Sequence, residues 1–206
     1  MSLSVRTFDR SKVPIPERLA SFTWPSPFND GSPIDLEIGC GVGLHPIRYA
    51  LANPDRRLIA IEHTKEKFES FYRRWLKHDS PSQLLPVHAD AVHWVTHVLK
   101  PESIDRVFLL YPNPEPKAPN QRWLRRPFFS RLLSVMKSGG TLTLATNIES
   151  YVDEAILYAT DFWNLTVSER RVQRATDDPS LSPRTHFEKK YLERGETCFD
   201  VTFLKK

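Results

Sequence analysis

Ile34-Asp35-Leu36-Glu37-Ile38-Gly39-Cys40-Gly41-Val42-Gly43 is the stretch whose reading decides the fold. A short run rich in isoleucine and leucine stops at three alternating glycines, and Leu44–Ala52 then reads as a helix. Glycines placed where a strand enters a helix let the backbone turn tightly and let a ligand approach it closely. A dinucleotide fingerprint needs G-x-G-x-x-G. Leu44 holds the third glycine site, and Pro46 holds it in the alternative frame, so that reading fails.

The same alternation continues downstream. Leu58–Ile61 is a second apolar run and ends at Glu62. Phe68, Phe71, Tyr72, Trp75 and Leu76 then fall on one face of an amphipathic helix. Leu84–His88 reads as a third strand, followed by Asp90 and a helix over Ala91–Leu99. Ile104–Leu110 reads as a fourth strand. Five prolines in the 17 residues Tyr111–Pro127 exclude regular structure there. Pro127 opens a helix with the face Phe128, Phe129, Leu132, Leu133 and Met136, and Gly139-Gly140 ends it. Thr141–Ala145 is a fifth strand and Tyr151–Phe162 a helix. Leu165–Ser168 and Cys198–Leu204 are the last strands, with a polar basic loop between them. The expectation is an α/β fold with a mostly parallel sheet and an antiparallel edge strand. Residues 1–33, with five prolines, form an irregular N-terminal arm ahead of a single domain over 34–206.

Composition narrows the class. The chain has 206 residues and a formal charge of +4, which permits an anionic partner without demanding one. No apolar run approaches the roughly 18 residues that span a bilayer, so no membrane partner is expected. Cys40 and Cys198 stand alone, which excludes a disulfide scaffold or zinc ribbon and makes a reducing cytoplasm the expected compartment. His93 and His97 are four apart, but Trp94 follows His93, so there is no H-E-x-x-H and no metal is expected. The tryptophans Trp24, Trp75, Trp94 and Trp163, and Cys40 in the glycine loop, read as packing residues.

The pattern E-x-G-x-G-x-G after the first strand resembles motif I of the class I methyltransferases that use S-adenosylmethionine. A sulfonium ligand favours nearby carboxylates over a phosphate cradle, and Glu37, Glu62 and Asp90 stand at three successive strand ends, the edge where open α/β sheets bind ligands. More specific are Tyr111-Pro112-Asn113-Pro114-Glu115-Pro116-Lys117, Arg125-Arg126, Ala145-Thr146-Asn147 through Tyr151, and Thr185-His186-Phe187-Glu188. Together these resemble the tRNA (guanine-N7-)-methyltransferase family, the TrmB group, whose motifs are F-P-D-P-W-x-K, an R-R run, A-T-D-x-x-x-Y and T-x-F-E. The resemblance covers about Ile34 to Phe203.

That resemblance implies a tRNA methyltransferase forming 7-methylguanosine; a monomer or homodimer is expected. It implies cofactor contacts from Glu37, Gly39, Gly41, Glu62, Asp90 and Asn113, with Asn113 also the catalytic position. Substrate contacts would come from Lys117, Asn147, Thr185, His186, Phe187 and Glu188. Asparagine replaces the family's aspartate at both Asn113 and Asn147, and Glu115 replaces its tryptophan. Guanine N7 carries a lone pair and no proton, so no general base is required and positioning supplies much of the catalysis. An amide stabilises charge developing on the purine less well than a carboxylate. Slower methylation or an altered substrate is therefore expected. The alternatives are a diverged methyltransferase acting on another substrate, and a non-catalytic RNA- or cofactor-binding protein. Arg122, Arg125, Arg126, Arg131 and Lys117, with Arg170, Arg171, Arg174 and Arg184, are expected to form a basic rim for RNA phosphates.

Overall fold

A computed structural model describes residues 3–15, 19, 22–175 and 182–206. The described strands are β1 (Ile34–Ile38), β2 (Arg57–Glu62), β3 (Leu84–His88), β4 (Ile104–Leu110), β5 (Met136–Thr146), β6 (Leu165–Gln173) and β7 (Cys198–Lys205). The helices between them are α1 (Leu44–Ala52), α2 (Lys65–Lys77), α3 (Ala91–Val98), α4 (Phe128–Val135), α5 (Glu149–Asp161) and α6 (His186–Glu193). One sheet of order β3-β2-β1-β4-β5-β7-β6 results, parallel except for β7, which runs antiparallel to both β5 and β6. β7 therefore lies inside the sheet and β6 takes the edge.

Strand alternation assigns the two faces. Leu58 and Ala60 pack with Ile47, Ala50 and Phe71 under α1 and α2. Ile59 and Ile61, one residue out of phase, join Trp94, Phe129, Leu132 and Val152 under α3, α4 and α5. Asp35 on β1 is fully buried, and it is tolerated because Arg56 binds it bidentately at 2.6 and 2.5 Å while the Tyr49 hydroxyl donates at 2.7 Å. β1 pairs with β2 on one side and β4 on the other, so the strand order reverses between β1 and β4. That reversal opens a crevice at the carboxyl ends of the strands.

Three expectations are corrected. The loop before β7 contains α6, an eight-residue helix whose short sequence is mostly polar. The strand before it continues past Ser168 to Gln173. Gly139-Gly140 does not end a helix: β5 begins at Met136, and the glycines sit where the β4–β5 register shifts between Ile104 and Arg106. A side chain at Gly140 would stand 2.8 and 2.9 Å from the carbonyl oxygens of Lys137 and Asp105, so this bulge needs glycine. Ahead of β1, Phe22 and Trp24 set their rings edge-on to Trp94, and His97 Nε2 donates to the Val13 carbonyl at 2.8 Å. His97 thus holds the N-terminal segment. Among the described residues no group of three metal-ligating side chains comes together, and no helix is long and apolar enough to cross a membrane.

Gly43 caps the glycine loop in a left-handed conformation, φ +81°, and a Cβ there would stand 2.0 Å from the fully buried Phe71 ring. Gly43→Ala combines left-handed strain with overpacking that Phe71 has no room to relieve. Urea unfolding is expected to show a loss of about 2–5 kcal/mol.

Candidate active site

A cleft of about 710 Å³ opens at the β1–β4 crevice, within the usual range for small-molecule sites. The glycine loop forms one wall. Gly39 and Cys40 donate their N–H groups to the Ile61 carbonyl (2.8 and 3.2 Å), which sets the loop beside the end of β2. Gly41, at φ +60°, turns its N–H onto Glu62 Oε2 at 2.9 Å. Glu62 Oε1 accepts from the Thr64 N–H at 2.8 Å, so both oxygens of this buried carboxylate are held by backbone donors. About two acceptor directions of the carboxylate stay open for a ligand.

Glu37, Glu62 and Asp90 occupy three different settings. Glu37 is 1% exposed and accepts from His45 Nδ1 at 2.8 Å, beside a smaller pocket shared with Gly39, Gly41 and Phe187. Glu62 and Asp90 line the main cleft. Asp90 also caps α3, accepting from the His93 N–H at 3.1 Å. Cys40 is buried beneath them. Burial, then the charges of Glu37 and Glu62, push its thiol well above the ordinary value, so it remains protonated and serves packing.

The proline segment forms the opposite wall. Tyr111 and Glu115 both take left-handed backbone, φ +53° and +47°. Asn113 lines the cleft, and its Oδ1 accepts from the Glu115 N–H at 3.2 Å, the geometry of an Asx turn. The side chain therefore shapes the loop while standing exposed at the cleft. Trp123, Arg126, Glu115 and Tyr191 also line this wall; the sequence points to Arg126 as a rim cation, but gives no site role to Trp123, Glu115 or Tyr191. The arginine-rich stretch was the available signal for Arg126, which lies over the Trp123 ring at 5.1 Å.

Thr185-His186-Phe187-Glu188 divides by role. Thr185 is the N-cap of α6 and accepts from the Glu188 N–H at 3.0 Å. Glu188, 1% exposed, accepts from the Arg184 backbone and guanidinium and from the Tyr111 hydroxyl at 3.1 Å. This is a capping-box arrangement with the glutamate reaching one residue further back. Burial opposes ionisation of Glu188, but Arg184 and the Tyr111 hydroxyl outweigh it and hold the carboxyl below its ordinary value. His186 and Phe187, at the first turn of α6, face the smaller pocket, and Phe187 reaches the main cleft as well. Burial, followed by Arg74, Lys189 and Arg48, lowers the His186 pKa and marks a positive surface at this helix start.

Three residues expected at the substrate, Lys117, Asn147 and Glu188, line neither of these two pockets. Lys117 is exposed, and Asn147 donates its amide to Glu196 Oε2 at 2.7 Å. An aspartate at 147 would set two carboxylates against each other, so the asparagine matches its local partner. The expected basic rim is also largely committed elsewhere. Arg122 and Arg125 bind Glu154 at 2.5 and 2.7 Å, Arg131 donates to the Leu99 carbonyl at 2.6 Å, and Arg184 bridges Glu188 and Asp200. Arg170 reaches Glu149 and Asp153, and Arg171 reaches Glu169.

The sheet order with its antiparallel β7, the glycine loop and the acids at the ends of β1 and β2 define a class I methyltransferase that uses S-adenosylmethionine. Solved structures share this fold. An antibiotic-related methyltransferase superposes with TM-score 0.67 at 14% identity, over 85% of this chain and 89% of that one. The 16S rRNA methyltransferase KamB gives TM-score 0.64 at 16% identity, over 85% of this chain and 89% of its own. The family model described as "Putative methyltransferase" matches residues 31–201. A tRNA (guanine-N(7)-)-methyltransferase of Nitrosomonas eutropha is 31% identical over 184 residues, 86% of this chain and 79% of the relative. The enzyme of that name from Burkholderia mallei is 27% identical, over 93% of this chain and 72% of its own length. The chain belongs to the tRNA (guanine-N7-)-methyltransferase family.

Proposed function

We propose that this chain methylates N7 of a guanosine in tRNA, with the catalytic unit running from Ile34 to Lys206 and residues 1–33 as an appended arm, acting in the cytoplasm as a monomer or homodimer. The observation that carries this reading is that Gly39, Gly41, Glu62, Asp90 and Asn113 line one cleft, although they come from four different strand ends. The donor set suits a cation. Glu62 and Asp90 offer carboxylate oxygens for the sugar hydroxyls and the adenine edge, and Glu37 offers one for the amino acid end. Bound there, S-adenosylmethionine supplies an electrophilic methyl group carried on sulfur.

The remaining work falls to the protein. N7 attacks with its own lone pair, positive charge passes to the purine, and no proton moves. Asn113 holds the mouth of the proline loop and presents its amide to the base. Phe187 and Trp123 supply aromatic faces on which an extruded base stacks, and such stacking contributes about 1–3 kcal/mol per base. Arg48 and Arg74, which meet only neutral oxygens among the described residues, supply a positive surface for phosphates beside the cleft, with Lys117 a further exposed cation. Lys189 is paired with Glu193 at 3.7 Å. Thr185 and Glu188 act on the substrate indirectly, by building the helix start that carries His186 and Phe187.

Transfer of labelled methyl from S-adenosylmethionine to unmodified tRNA transcripts, followed by separation of the nucleosides, is expected to yield 7-methylguanosine. No transfer, with cofactor binding intact by calorimetry, would favour another substrate. Glu115 and Asn113, where the family carries tryptophan and aspartate, are the residues that would carry that second reading.

A further inference from the structure

We propose that Glu115 is the residue that recognises the target guanine, its carboxylate accepting the N1–H and N2–H groups on the edge of the base remote from N7. The inference rests on the guanine-methylating reading above. Asn113 has no charge to offer, yet two residues on, this chain carries an acid. Glu115 lines the main cleft together with Asn113, Gln121, Trp123 and Arg126. The other acids of that cleft are engaged: Glu62 by the Gly41 and Thr64 N–H groups, and Asp90 by the cap of α3. The Glu115 carboxylate takes no hydrogen bond or ion pair among the described residues, although its main chain is fixed at both ends. Its N–H donates to Asn113 Oδ1 at 3.2 Å, and its carbonyl accepts from the Ala118 N–H at 3.2 Å. The left-handed backbone at Glu115 is a conformation that side-chain-bearing residues rarely adopt, and it is held here between Pro114 and Pro116.

The chemistry matches guanine specifically. Two parallel donors, N1–H and N2–H, lie side by side on its pairing edge and fit the two oxygens of one carboxylate. Adenine presents a bare acceptor at N1 and would leave the acid unanswered. Binding that edge leaves N7 pointing away from Glu115. Once N7 takes the methyl group, the purine carries a positive charge and its N1–H becomes more acidic. The bond to Glu115 then strengthens between ground state and transition state, which is the condition for an interaction to raise kcat. Moving the carboxylate from 113 to 115 thus keeps a negative charge at the base.

The test uses the full chain with S-adenosylmethionine and two tRNA transcripts, one with guanosine and one with inosine, which lacks the N2 amino group, at the methylated position. Glu115→Gln is expected to lower kcat/KM for the guanosine tRNA about 10- to 100-fold, the worth of a charged hydrogen bond. The KM for S-adenosylmethionine should stay the same. The preference for guanosine over inosine should shrink in this variant, a readout that a purely structural role would not move. Glu115→Ala should follow in the same direction, and unchanged unfolding midpoints would verify the fold of both. Wild-type kinetics in Glu115→Gln, or a slower variant that keeps the full guanosine preference, would overturn the inference. If the wild-type chain forms no 7-methylguanosine, the reading beneath falls and the inference with it.

Discussion

Arg184→Met is expected to lower the unfolding free energy by about 3 kcal/mol at neutral pH, the lower end for breaking a buried pair, because part of the guanidinium reaches solvent. Arg184 Nη2 lies 2.9 Å from Glu188 and 2.7 Å from Asp200, so one side chain ties α6 to β7. The Glu188 and Asp200 side chains are 1% and 13% exposed, and without the guanidinium two largely desolvated carboxylates would face each other. The pH dependence gives the prediction a sign. In the wild-type protein the Glu188 pKa lies below its ordinary value. The stability it contributes is therefore complete above the ordinary carboxylate range and lost as pH falls through that depressed pKa. Asp200 runs the other way, burial keeping its carboxyl high against the pull of Arg184. Removing Arg184 raises both. The variant then binds protons on folding, and its deficit against wild type should narrow from pH 7 to pH 4. Urea titrations across that interval would measure it, and a deficit independent of pH would mean that lost packing, not stranded charge, causes the effect.

Part of this architecture is legible in the chain because it is local. Ile34–Gly43 states a strand, a turn and a helix start in ten residues, and Glu62 and Asp90 follow strands of matching length. The site acids therefore appear in sequence order at strand ends. What is hidden depends on partners distant in the chain. Arg184 reads as an RNA contact until Asp200 is found beside it. Asn147 reads as a weakened substrate residue until Glu196, 49 positions on, accepts its amide. A charged residue advertises its charge but not whether that charge is already answered. Helix α6 was missed for a different reason. Its eight residues are mostly polar, and its start is signalled by the side-chain bonds of Thr185 and Glu188, a motif that reads equally as a binding signature. Gly139-Gly140 shows the same ambiguity, since a helix end and a bulge both call for glycine.

Glu62→Gln is expected to weaken S-adenosylmethionine binding about 30- to 100-fold, the worth of a hydrogen bond to a charged group. The substitution preserves shape, so its effect isolates the carboxylate. Glu62 answers two donors at once, the Gly41 N–H at 2.9 Å and the Thr64 N–H at 2.8 Å. A glutamine has one oxygen and one NH2, so one backbone N–H must meet another donor. If the oxygen stays on Thr64, the glycine loop loses its Gly41 tether and is held only by the Gly39 and Cys40 bonds to the Ile61 carbonyl. If it stays on Gly41, the start of α2 is unsatisfied instead. Either way the open lone pairs left for the ribose diol fall and the negative charge facing the cofactor's cation is lost. Calorimetry separates these contributions from stability. Unfolding without cofactor should cost only about 1–3 kcal/mol, the penalty for one unsatisfied backbone group. The same variant with cofactor present should lose most of the ligand-induced stabilisation, since that term scales with the logarithm of ligand concentration over Kd. Affinity unchanged in Glu62→Gln would assign this carboxylate to the loop alone and move ribose recognition to another residue.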